Sequence, residues 1–127
     1  MNLIDLIFPK NTEKDEPSRQ DILNDALDIA MEFGKNWLMP IQERLKSKYP
    51  FLSENDLNSF NSICKQIMNE SNVFVANKIG ELVRSNQNIE FTKLKEELDK
   101  FLKVKQDWID DKNIIRLLNQ AMYYAYK

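Results

Sequence analysis

Histidine is absent from this chain, and with it goes the commonest general base, proton shuttle and metal ligand of proteins. A di-iron site in a helical bundle needs Glu-x-x-His pairs, and a zinc site needs several cysteine or histidine ligands. One cysteine and no histidine assemble neither, so no metal and no cofactor is expected. Cys64 has no second cysteine for an internal disulfide and no imidazole to activate it; it is expected as a buried, unreactive thiol. Glycine and proline are scarce too, at two and four residues. A fold of many short strands turns more often than so few such residues allow. Gly34 and Gly80 stand 46 positions apart, which excludes a glycine-rich phosphate loop.

No apolar run reaches the roughly 18 residues that suggest a membrane span. The stretch MNLIDLIFPK is apolar, but no positive charge precedes it, and Asp5 and Pro9 interrupt it. It does not read as a secretory leader, and the chain is expected in the cytoplasm, away from membranes. Neither sign of charge dominates: 18 basic against 20 acidic residues leave a net charge of -2. Nucleic-acid binding draws its affinity mainly from lysines and arginines meeting phosphates, so that partner is not expected. Lys93, Lys95, Lys100, Lys103 and Lys105 cluster, but Glu96, Glu97 and Asp99 stand among them, the pattern of a solvated helix face.

What the chain does have is helical periodicity. Its 127 residues suit one domain with a single core. Residues 1–17 divide into an apolar tail and a polar linker, and residues 18–127 form the domain. Ser18 with Asp21 makes a capping-box start, after which Ile22, Ala26, Ile29, Ala30, Phe33, Trp37, Ile41 and Leu45 keep three-four spacing. That predicts a first helix of about 45 Å, kinked or restarted at Pro40. Ser53 and Asp56 form a second capping box, with Leu52 and Leu57 placed as a hydrophobic staple. Helix two then carries Leu57, Phe60, Cys64, Ile67, Ser71, Val75, Ile79 and Leu82. Asn69, Ser71 and Asn72 are weak helix formers, so the fold has four helices, or five if helix two breaks there. SNQN at 85–88 closes it. Helix three carries Phe91, Leu94, Leu98 and Phe101, and Asp110–Asp111 opens helix four with Ile114, Ile115, Leu118, Ala121, Met122 and Ala125. Short connections make this an all-α up-down bundle built on a long helical hairpin.

Two sites are expected from that outline. Helices three and four, at roughly 27 and 23 Å, are too short to cover the end of the hairpin. Ile41, Leu45, Tyr49, Phe51, Leu57, Phe60 and Ile63 would then form an exposed apolar tip, the signature of an interaction surface. This predicts a non-enzymatic interaction module, a small adaptor or regulator, with a protein partner or a second copy of the chain on the tip; a homodimer is the expected state. The alternative is a small-molecule-binding bundle. Gly34 and Pro40 bracket Trp37 and would free the Asn36 carbonyl beside an indole; Trp108, Tyr123 and Tyr124 supply further aromatic wall, and Arg116 with Gln120 supplies polar anchors. No set of carboxylates, lysines or tyrosines is spaced to converge for catalysis. In the tail, Leu3-x-x-Leu6-x-Phe8 resembles the Gln-x-x-Leu-x-Phe peptide that docks on bacterial sliding clamps, with Leu3 in place of the glutamine. The resemblance covers six residues, and a tail folded back on its own bundle is the structural expectation.

Overall fold

The computed structural model describes residues 17–32 and 39–126, and these contain five α-helices and no strand. The helices are α1 (Arg19–Ala30), α2 (Gln42–Lys48), α3 (Glu54–Arg84), α4 (Phe91–Lys103) and α5 (Asp111–Tyr126). The apolar tail with its Leu3–Phe8 peptide, and Asn36 and Trp37, lie outside the described residues.

Both capping boxes form. The Ser18 hydroxyl accepts from the Asp21 amide while the Asp21 carboxylate accepts from the Ser18 amide, and Ser53 and Asp56 repeat the arrangement at α3. Leu52 and Leu57 are both buried. The 31 residues of α3 span roughly 46 Å and continue without a break through Asn69, Ser71 and Asn72. Burial explains why. Leu57, Phe60, Cys64, Ile67, Ser71, Val75 and Ile79 are all buried along one stripe, and tertiary packing of such a stripe outweighs the few tenths of a kcal/mol that each weak helix former costs. The end of α3 is a Schellman motif: Asn86 takes a left-handed φ of 60°, its amide donates to the Val83 carbonyl, and the Gln87 amide donates to the Leu82 carbonyl.

Among the described residues the first expected helix is divided between α1 and α2. α1 stops at Met31, and α2 runs back along it: Lys48 and Tyr49 reach Asp25, while Arg44 donates to the Ile29 carbonyl and pairs with Glu32. α2 is also antiparallel to α3, since the Ile41 amide meets Asn61 and Gln42 meets Asn58, whereas the other end of α2 joins α3 through residues 49–53. The continuous long hairpin is therefore replaced by a three-helix end, α1–α2–α3. α4 folds back along α3, and α5 lies parallel to α1, with Asn113 on Asn24 and Gln120 on the Met31 carbonyl. The α3–α5 contact is the most extensive in the bundle. Trp108 lies in the 104–110 connection between α4 and α5.

Candidate functional site

The seven tip residues do come together, but as core. Ile41, Leu45, Tyr49, Leu57 and Phe60 are buried and Ile63 packs half-buried beside them; Phe51 alone is exposed, at 68 %. The exposed tip expected from helix lengths is thus corrected, and its cause is the fold-back of α2, which supplies the cover that a straight first helix would have lacked. Tyr49 illustrates the change. Its hydroxyl donates to the Asp25 carboxylate, to which Lys48 is also paired. Burial first, and the neighbouring carboxylate next, raise its pKa above the ordinary tyrosine value. A shallow groove of about 500 Å³ remains on the outer side of α2, lined by Gln42, Glu43, Lys46, Ser47, Glu54 and Leu57. Leu57 is its single apolar residue.

The residues expected to line an aromatic pocket are distributed over separate tasks. Arg116 pairs with the Asp28 carboxylate and donates to the Asp28 and Met31 carbonyls, at 3.5 and 3.0 Å; Gln120 donates to the same Met31 carbonyl at 3.0 Å. With Arg44 on the Ile29 carbonyl, two guanidiniums and one amide hold the Asp28, Ile29 and Met31 carbonyls at the end of α1. That helix has no basic residue in its own last turn, so α2 and α5 supply the positive charge its C-terminal dipole favours. Burial lowers the Arg116 pKa, but a guanidinium stays charged in proteins. Trp108 donates its indole N–H to Gln106, and its carbonyl accepts from Asn24. Tyr123 is exposed; Tyr124 is half-buried and packs edge-on to it. None of Trp108, Arg116, Gln120, Tyr123 and Tyr124 lines any of the three grooves described here.

Among the described residues, apolar side chains are exposed beside one another where α4 folds back on α3. The Phe74 and Phe101 rings stack with centroids 4.4 Å apart and an interplanar angle of 18°. Phe101 is 42 % exposed, and Val104, one residue past the end of α4, is 83 % exposed. Beside them is a groove of about 190 Å³ lined by Glu70, Phe101, Leu102, Val104 and Lys105. The register of the helix pair is regular. Lys78 meets Glu97 at 3.6 Å, Phe74 meets Phe101 one turn further, and Glu70 and Lys105 flank the groove one turn beyond that. Lys78 also lies 5.7 Å from the Phe74 centroid, close enough for a cation–π contact. Of these residues only Glu97, Phe101 and Lys105 were singled out by the sequence pattern. The available signal was that four-residue step, which an antiparallel hairpin about residues 85–90 imposes on both helices.

Further along the same helix pair, a polar groove of about 230 Å³ lies among Lys78, Glu81, Leu82, Gln87, Asn88, Glu90, Lys93, Leu94 and Glu97. Of its two lysines, Lys78 is paired with Glu81 and Glu97. Among the described residues no group of three histidine, cysteine, aspartate or glutamate side chains is placed to hold a metal ion, and no helix is long and apolar enough to cross a membrane. The fold and its surface define an all-α bundle with an apolar patch at one helix pair. No protein-family model, curated protein or solved structure matches the chain.

Proposed function

We propose that the chain is a non-enzymatic interaction module, a small adaptor or regulator, and that its contact surface is the α3–α4 face around Val104. The observation that carries this reading is the 83 % exposure of Val104 beside the half-open Phe74–Phe101 stack and its apolar groove. Apolar residues exposed together, in contrast to single ones, mark binding surfaces, and stacked aromatic rings make a rigid contact that loses little side-chain entropy. The absence of histidine and the inaccessibility of Cys64 support a non-enzymatic role. A lone buried thiol also suits the reducing cytoplasm, where we place the protein.

Val104→Asp tests the reading without touching the core, because the side chain is mostly in solvent. In native mass spectrometry of protein isolated gently from its own source, the wild-type chain is expected to carry the mass of at least one further whole chain. The variant is expected to travel as a single chain of 15.1 kDa. The same added mass on both would overturn the assignment of this face.

A further inference from the structure

Resting on that reading, we infer that the occupant of the α3–α4 face is a second copy of this chain, related by a two-fold axis, with Glu70 of each copy opposite Lys105 of the other. A two-fold interface uses one patch twice, so a residue on one edge meets the residue on the opposite edge. Such a patch works only if it is complementary to itself. The α3–α4 groove meets that condition: its lining holds one acid from α3, Glu70, and one base from just past α4, Lys105, together with Phe101, Leu102 and Val104. Among the described residues neither charge is closed into an ion pair within the chain. Glu70 accepts a hydrogen bond from Gln66, and no ion pair engages Glu70 or Lys105. Two turns along the same pair, by contrast, Lys78 is closed onto Glu97. A net charge of -2 opposes self-association only weakly. In this arrangement Val104 and Phe101 of the two copies cover one another, and each groove is flanked by a charge from both chains.

Two-fold symmetry gives a test that no contact within one chain can imitate. Glu70→Lys places two lysines opposite two lysines in its own dimer, and Lys105→Glu places acids opposite acids. Each variant alone is therefore expected to dimerise about tenfold more weakly than the wild type, from two exposed pairs turned repulsive. Mixed one to one, the two variants present lysines to acids at both positions. They are expected to form a heterodimer with an affinity close to that of the wild-type homodimer, and recovery on mixing also shows that both variants fold. Sedimentation velocity at several concentrations reads all three states. A wild-type chain that stays monomeric up to millimolar concentration overturns the second copy as occupant and leaves the interaction reading to the Val104→Asp comparison. A dimer that ignores both reversals, or reversed variants that do not recover on mixing, overturns the Glu70–Lys105 pairing.

Discussion

Cys64 lies wholly inside the core on the buried stripe of α3, and that burial pushes its thiol from 9.0 up to about 12. Between those values the folded chain holds a proton that the unfolded chain has released. Stability is then complete below pH 9 and falls as pH rises, by at most about 1.4 kcal/mol per pH unit. Urea unfolding followed from pH 8 to 11 should show this decline, and Cys64→Ala should show a shallower one despite its lower stability at neutral pH. Tyr49, whose pKa is also raised, keeps part of the decline in both proteins. Equal slopes would mean that the thiol does not sit in a dry site. Cys64 was readable from composition, because a lone cysteine without an imidazole has little but packing to do. The roles of Arg116 and Gln120 were not. Their target is the end of a helix distant in sequence, and spacing along α5 gives no hint of which carbonyls it meets.

At the scale of elements, local chemistry was the most legible part of the chain. Ser18–Asp21 and Ser53–Asp56 announce their helix starts because a capping box is a contact between residues three apart. SNQN ends α3 because asparagine tolerates the left-handed conformation found at Asn86. Gly80 is different, since it stands in the interior of α3 and nothing there requires glycine. A Cβ built on it would meet only the flexible tip of Arg84, at 3.3 Å, which can shift. Gly80→Ala is therefore expected to stabilise the protein by about 0.5–1 kcal/mol, the usual difference between these residues in a helix. Thermal unfolding followed by circular dichroism checks this; a loss of stability would mean that the Arg84 side chain is held in place.

For the whole molecule, the sequence conveyed the fold class and missed one reversal of direction. The apolar stripe runs in phase from Ile22 to Leu45 across Gly34 and Pro40, so periodicity alone cannot distinguish a bent rod from two antiparallel helices. The three-helix end is held by tertiary pairs, Asp25 with Lys48 and Tyr49 and Arg44 with the end of α1, whose partners stand 15 to 24 residues apart. That reversal turned the supposed tip into core. Among the described residues an open apolar patch lies at α3–α4, and it became visible only once the register of that helix pair was known. Side-chain footprinting with hydroxyl radicals tests this location most directly, comparing the assembly isolated from its source with the same chain after dilution into monomers. In the assembly, labelling of Phe101 and Val104 should fall several-fold while Phe51 and Tyr126 label as in the monomer. Protection at Phe51 with Phe101 and Val104 unchanged would contradict the account and return the interface to the tip.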